Sequence, residues 1–359
     1  MDDPQKKHIP ITVAMSGGVD STVTAALLKQ QGHPVAGVFL ALAQPDLERQ
    51  VDRVSRIAER LAIPFSVLDL HLEFEQEVLA YFVQSYFAGL TPNPCIVCNR
   101  TIKFGSLLQK VLAGGSQGPA TGHYVRLIKD DSGLVRLFCG RDSKKDQSYF
   151  LCRLRQEQVA RLSFPLGNYT KEEVYKLAED FGFTEFRERR ESQDICFLPN
   201  GGVGDFLAAQ KRLPPARGAI VTLDGRHVGR HDGIHGFTVG QRRGLGIPDA
   251  TPYYVVSLDP AKNRVVVGKE SDLWSQRLLV RDMNWLSGRL PDLAQTFAVK
   301  IRYRHVPADA VVRIAADDML EVAFHHPQRA ITPGQFVAVY QGDELLGGGE
   351  IVITMPESQ

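Results

Sequence analysis

Ser16-Gly17-Gly18-Val19-Asp20-Ser21 follows the apolar run Ile11–Met15 and opens the amphipathic stretch Thr22–Gln30. A strand that turns through two glycines directly into a helix aims backbone N–H groups and the positive end of the helix dipole at one spot, which suits a phosphate. The glycines permit close backbone approach, Ser16 and Ser21 add hydroxyl donors, and Asp20 offers a carboxylate for Mg²⁺ or for capping the helix. No Gly-Lys-Ser/Thr is present, so the loop is not of the Walker type. A capped strand-to-helix turn is the plain alternative, but the full six-residue string in this context favours nucleotide binding.

Outward from the loop, the first two hundred residues alternate apolar β-branched runs with helical stretches: Ile9–Met15, Thr22–Gln30, Pro34–Leu40, Leu47–Leu61 and Pro64–Leu70. That rhythm predicts an α/β domain with a parallel sheet. Helical patterns recur at Phe74–Phe87, Ile102–Leu112 and Lys171–Phe181, and a hairpin, Val125–Ile128 with Leu134–Cys139, is expected to decorate this domain. After the Gly-rich break Asn200–Gly204 and a short helix Asp205–Arg212, Pro214 and Pro215 stop helix propagation, and short strands with turn signals take over. Recurring strands after Leu278 suggest a small closed or nearly closed β-barrel. The expected division is 1–204 for the nucleotide and catalytic domain, 205–276 for a central β-rich domain, and 277–359 for the barrel.

The 359 residues suit two or three domains, and 43% apolar with 23% charged residues is ordinary for a globular chain with a real core. No uncharged apolar run approaches the ~18 to 20 residues of a membrane span. The start, Met-Asp-Asp-Pro-Gln-Lys-Lys-His, lacks a signal-like apolar stretch, so a cytoplasmic protein with no membrane partner is expected. A net charge of +1 argues against a tail-driven polyanion binder. It conceals a local excess, however: residues 206–243 hold seven basic side chains (Lys211, Arg212, Arg217, Arg226, Arg230, Arg242, Arg243) against Asp224 and Asp232. A polyanion is expected to dock near there.

Five cysteines without an export signal point to reactive or metal-binding thiols rather than a disulfide scaffold. Cys95 and Cys98 form a Cys-x-x-Cys pair in a segment that Pro92 and Pro94 are expected to hold as an extended, accessible loop. Cys139 and Cys152 stand in apolar contexts and read as buried small side chains. Cys196 is the remaining thiol in a polar setting, and three thiols fall short of the four ligands of a structural zinc site.

The six-residue loop resembles that of the N-type ATP pyrophosphatases (PP-loop enzymes), which attach AMP to a substrate oxygen and release pyrophosphate. Adenylation turns a poor carbonyl oxygen into a leaving group that a nucleophile can displace. Beyond the loop, the whole chain resembles the tRNA-specific 2-thiouridylase (MnmA/TrmU) family. The strings that carry this are Ala14–Ser21, Thr91–Asn99, Lys103–Gly105, Thr121–Tyr124, Lys144–Leu151, Gly240–Gly246, Ile301–Arg304 and Thr332–Gln335.

The resemblance implies ATP-dependent 2-thiolation of the tRNA wobble uridine, with sulfur delivered from a cysteine persulfide. It implies ATP and Mg²⁺ as cofactors, and as partners tRNA and a sulfur donor, either a cysteine desulfurase or a sulfur-relay protein. By position, Cys98 matches the nucleophile and Cys196 the persulfide-bearing cysteine, while Asp20 is expected to serve adenylation. Ala14, Met15, Ser16, Gly17, Gly18, Val19, Asp20, Ser21, Leu40 and Gly122 match ATP-holding positions. Leu40 replaces a frequent methionine, a swap an apolar wall tolerates. Asn93, Pro94 and Cys95 match the segment that meets the target base, and Cys95 stands where many relatives carry Asp. His123, Lys145, Asp146, Gln147, Arg302, Tyr303 and Gln335 match tRNA-contacting positions.

Two readings of the three thiols are open. Cys98 and Cys196 run persulfide chemistry with Cys95 spare, tuning its neighbour or forming a resting disulfide; or Cys95, Cys98 and Cys196 hold an iron–sulfur cluster with one open iron. Persulfide chemistry is favoured. Lys145 and Arg302 can neutralise phosphates, Tyr303 can stack on a base and Gln147 can hydrogen-bond one, whereas solvated charges and plain strand residues are their bland counterparts. Arg187, Arg189 and Arg190 are either a solvated helix edge or an RNA contact. The competing functions are a PP-loop synthetase that adenylates a small molecule for attack by an amine, and a non-enzymatic RNA binder.

Overall fold

The computed structural model describes residues 10–188, 195–198, 202–209 and 217–355. Arg189, Arg190, Lys211, Arg212, Pro214 and Pro215 lie outside the described residues. The chain opens with β1 (Ile11–Ala14), α1 (Val19–Gln30), β2 (Val35–Ala41), α2 (Leu47–Arg60) and β3 (Phe65–Asp69). A continuous helical rod follows: α3 (His71–Phe74), a π-helical turn over Glu75–Leu79, and α4 (Ala80–Phe87). A second rod runs through α5 (Pro94–Cys98), a π-helical stretch Asn99–Ser106 and α6 (Leu107–Ala113). With β4 (Pro119–Ala120), the first three strands form an all-parallel sheet in the order β3-β2-β1-β4. The order reverses between β1 and β4, and this switch point is where open α/β sheets bind ligands.

The apolar runs of β1 and β2 are buried on one face and partly covered on the other, because helices flank the sheet. Val13, Val23, Val54, Ala120 and Val174 are fully buried in one cluster. The hairpin β5 (Val125–Lys129) and β6 (Val135–Cys139) forms, but it does more than decorate the first domain. Phe138 and Leu137 pair with Glu344 and Leu345 of the C-terminal strand, so the hairpin extends the barrel sheet. Helical segments then follow, α7 (Gln156–Val159), α8 (Lys171–Asp180) and α9 (Gly202–Ala209), interspersed with 3₁₀ turns.

A central sheet of β7 (Gly218–Thr222), β8 (His227–His231), β9 (Tyr254–Asp259) and β10 (Arg264–Gly268) has the order β8-β7-β10-β9 around its own core of Ile220, Val255, Val265 and Val267. The last six strands are β11 (Trp274–Trp285), β12 (Thr296–Lys300), β13 (Ala308–Ile314), β14 (Leu320–Arg329), β15 (Phe336–Gln341) and β16 (Glu344–Met355). They close into a barrel, because β11 pairs with both β14 and β16. The α/β fold with a central β-rich unit and a C-terminal barrel is therefore as the sequence predicts. A core containing Ile96, Phe104, Tyr149, Leu151, Phe336 and Tyr340 runs without a break from the nucleotide domain into the barrel. Among the described residues no helix is long and apolar enough to cross a membrane.

Candidate active site

The loop after β1 is built as its sequence requires. Gly17 takes a left-handed φ of 77° and packs on the stem of Arg53, and Gly18 caps α1 in extended geometry. Ser21 Oγ accepts from the Ser16 N–H at 3.2 Å and donates to the Gly18 carbonyl at 3.1 Å, pinning the turn from inside. Asp20, in the first turn of α1, accepts from Tyr124 Oη at 2.7 Å and from Lys171 Nζ at 2.8 and 2.9 Å, one bond to each carboxylate oxygen. Gly122 closes the site from the loop after β4, across the switch point. A Cβ there would stand 2.7 Å from Asp20 Cβ and 2.9 Å from its carbonyl carbon, so only glycine fits. Met15 is buried, and Leu40 is half-buried at the end of β2 with its carbonyl held by Gln44.

Mg²⁺ fits this donor set. Of the four lone-pair sites of the Asp20 carboxylate, the hydrogen bonds above use two on Oδ1 and one on Oδ2, leaving an acceptor position on Oδ2. Lys171 and Tyr124 were not legible as site residues: they are 151 and 104 residues from Asp20, and neither belongs to the loop motif.

The thiols depart from expectation. The segment around Cys95 and Cys98 is not an extended loop: Asn93 is the N-cap, accepting from the Ile96 N–H at 3.4 Å, and Pro94 occupies the first helical position of α5. Proline is favoured there because that position has no helical N–H bond to lose. Cys98 is therefore buried, at 7% exposure, while Cys95 one turn earlier is exposed. Burial pushes the Cys98 thiol up to about 12, opposed by the charge of Lys103. Crowding raises Cys95 and Cys196 too, although each keeps an exposed face, and Lys103 again pulls in the other direction.

Cys98 feels the charges of both other thiols, so the three share one electrostatic neighbourhood around Lys103. Cys196 is carried there by Phe197, which packs edge-on against Phe74 and Phe82 at 5.7 and 5.2 Å. Among the described residues no three His, Cys, Asp or Glu side chains are grouped to hold a metal ion. As positioned, the three cysteines do not make the cradle an iron–sulfur cluster needs. Cys152 is fully buried as expected, and Cys139 is half-buried beside Ser148.

The residues matched to tRNA contacts divide. Tyr303 stacks on Phe150 with ring centres 4.5 Å apart, bringing the barrel against the nucleotide domain. Gln335 donates from Nε2 to the Thr91 carbonyl at 2.8 Å, clasping the segment that leads into α5. Arg302 donates to the Arg329 carbonyl at 3.1 Å. Lys145 is half-buried, and the Gln147 side chain accepts from the Tyr124 N–H at 3.0 Å. Asp146 is turned inward: at 8% exposure, its oxygens accept from the N–H groups of Gly140 and Ser148 and from the Ser148 hydroxyl, so it holds this loop together.

His123 sits between Phe104 and Phe164 and shares a hydrogen bond of 2.7 Å with Thr121. Burial, and then the charge of Lys103, push its pKa well down, so it is a neutral ring and not a phosphate-binding cation. Arg187 is engaged by Glu172 and Glu179, whereas Arg242 and Arg243 are exposed between glycines at positive φ, Gly240 and Gly244.

A parallel sheet with a phosphate loop at its switch point, and a group of thiols sharing Lys103 in the same domain, fit a nucleotide-dependent enzyme with sulfur chemistry. Comparison with known proteins makes this specific. Family models described as a tRNA methyl transferase HUP domain, a tRNA methyl transferase PRC-barrel domain and an aminomethyltransferase beta-barrel domain match residues 9–200, 204–269 and 275–351. The tRNA-specific 2-thiouridylase MnmA of Desulfotalea psychrophila is 48% identical over 340 residues, 95% of this chain and 98% of the relative. Those of Carboxydothermus hydrogenoformans and Geobacter metallireducens are 45% and 42% identical, covering 95% and 98% of this chain and 97% and 99% of theirs. The chain belongs to the tRNA-specific 2-thiouridylase MnmA family.

Proposed function

We propose that the protein is a tRNA-uridine 2-sulfurtransferase that thiolates the wobble uridine at the expense of ATP, working in the cytoplasm where its tRNA substrates are. The observation that carries this reading is the pairing of an adenylation loop with Cys98 and Cys196 in one neighbourhood, where Cys98 and Phe197, the residue after Cys196, share a core cluster. Methyl transfer, which the description of the family model names, would use neither feature. A synthetase passing an adenylate to an amine would use the loop and leave the thiols idle.

In the proposed sequence, the uridine 2-oxygen attacks the α-phosphorus of ATP and pyrophosphate leaves, held by the N–H groups and hydroxyls of Ser16–Ser21. Mg²⁺, bound through Asp20, supplies charge neutralisation for the departing phosphates. A persulfide on Cys196, loaded by a cysteine desulfurase or sulfur-relay protein, attacks C2 and displaces AMP. Cys98 thiolate then attacks the Cys196 sulfur, releasing the thiocarbonyl and leaving a Cys98–Cys196 disulfide that an external dithiol reduces. Lys103 is the cation that favours thiolate at both positions. Cys95 is spare in this scheme. Tyr303, Arg302, Lys145, Gln147 and Gln335 form the RNA-facing rim, and the three units divide near 204 and 276.

Mass spectrometry of nucleosides from tRNA incubated with enzyme, ATP and a persulfide donor tests the proposal. Cys98→Ser and Cys196→Ser should each abolish 2-thiouridine while pyrophosphate release persists, and Cys95→Ser should retain product. Undiminished thiolation in either of the first two variants would refute the assignment.

A further inference from the structure

Lys171 is the first residue of α8, where a cation is disfavoured by the helix dipole. The helix start is secured without it. Thr170 and Glu173 form a reciprocal capping box, and Asp142 accepts the Lys171 backbone N–H at 2.9 Å. The side chain is nonetheless 8% exposed, and lysine is almost never buried unless its charge is paired. Its ammonium lies 5.8 and 5.1 Å from the ring centres of Tyr124 and Tyr175 and bonds both oxygens of Asp20. Local helix stability does not account for this placement, whereas the position of Asp20 does.

We propose that Lys171 is a positioning residue for the nucleotide site: it fixes the Asp20 carboxylate and cancels its charge toward the incoming triphosphate. The inference rests on the adenylation reading above. An unpaired Asp20 beside the loop would repel the phosphates that the N–H groups attract, and it would be free to rotate toward the loop and occupy the donors itself. With Lys171 and Tyr124 holding Oδ1, the remaining acceptor position on Oδ2 is presented in one orientation, the arrangement a hexacoordinate Mg²⁺ requires. A purely structural ion pair would tie α1 to α8 and have no dependence on what the loop binds.

The test is calorimetric binding of ATP and of AMP to the full chain, with and without Mg²⁺, for Lys171→Met, Lys171→Gln and the double variant Asp20→Asn with Lys171→Met. Thermal unfolding establishes which variants are folded. Removing the lysine alone should weaken ATP binding at least tenfold in EDTA and change AMP binding less than about threefold, because AMP lacks the β- and γ-phosphates that the loop holds. The double variant, with both charges gone, should regain most of the loss in EDTA and none of the Mg²⁺ enhancement. Equal losses for ATP and AMP, or no loss in a folded Lys171→Gln protein, would overturn the proposal. Failure of the wild-type chain to bind ATP would instead overturn the adenylation reading itself.

Discussion

Gly122→Ala tests the geometry of the nucleotide site with the smallest possible change. The added methyl would lie 2.7 Å from Asp20 Cβ and 2.9 Å from the Asp20 carbonyl carbon, and the second of these is backbone that cannot rotate away. Either β4 and its following loop withdraw or the first turn of α1 does, at an overpacking cost of about 1–3 kcal/mol. At about 2–4 °C per kcal/mol for a domain of this size, the unfolding transition should fall by roughly 2–12 °C.

The same displacement pulls Asp20 off Lys171 and Tyr124, now at 2.8 and 2.7 Å. A hydrogen bond to a charged group contributes about 1.5–3 kcal/mol, so if ATP binding must restore one, its affinity drops by about 10- to 150-fold. Titration calorimetry with ATP, alongside scanning calorimetry, reads both effects. Gly236→Ala is the control, since no atom lies within 4 Å of its added Cβ, and it should stay within about 0.5 kcal/mol of wild type. A Gly122→Ala protein with wild-type melting and wild-type ATP affinity would refute the argument that Gly122 is required by the approach of Asp20.

Two further outcomes are expected. Lys103→Gln removes the charge that opposes burial at all three thiols, so their pKa values rise further and the alkylation rates of Cys95 and Cys196 near neutral pH fall. One charge pair worth about 1 kcal/mol corresponds to about a fivefold slowing and an alkaline displacement of the rate profile; an unmoved profile would remove Lys103 from the site. Arg242→Ala combined with Arg243→Ala should weaken tRNA binding and lower its log–log salt slope by roughly 1 to 2 while leaving ATP affinity unchanged, and an unaltered slope would exclude this pair from the phosphate-binding face.

What could be read from the sequence was local. The loop Ser16–Ser21 is one contiguous string between a strand and a helix, so composition and order disclose it directly. The barrel strands are marked by their own turn residues. By contrast, Pro94 carries two opposite meanings: with Pro92 it predicts an extended loop, but after the cap Asn93 it starts a helix that buries Cys98. Lys171 and Tyr124 escape because their partner lies more than a hundred residues away, and only the packing of α8 and of the loop after β4 against α1 brings them together. Asp146 shows the reverse failure: its motif places it at the RNA-facing rim, yet its carboxylate folds back onto its own loop, an orientation that sequence position does not encode.

The same long-range packing joins the barrel to the helix that carries Cys98. The hairpin β5–β6 belongs to the nucleotide domain by sequence and to the barrel sheet by hydrogen bonding, through Phe138 and Glu344. Pro333 accepts from the Thr91 N–H at 2.9 Å, Gln335 donates to the Thr91 carbonyl, and Gly334 lies so close to Leu90 and Thr91 that a Cβ would reach 2.8 Å from each. That clasp fixes the start of the segment whose next turn carries Cys95 and Cys98. From the other side, Asn99, the residue after Cys98, donates to the Phe150 carbonyl at 3.2 Å, and the Phe150 ring stacks on Tyr303 of the barrel. Two contact paths thus tie Tyr303 and Gln335 to the thiol helix, alongside a shared apolar core. If Tyr303 seats a nucleotide as proposed above, that nucleotide would rest on the same packed core as Cys98, and such preorganisation would favour keeping the reacting groups in register.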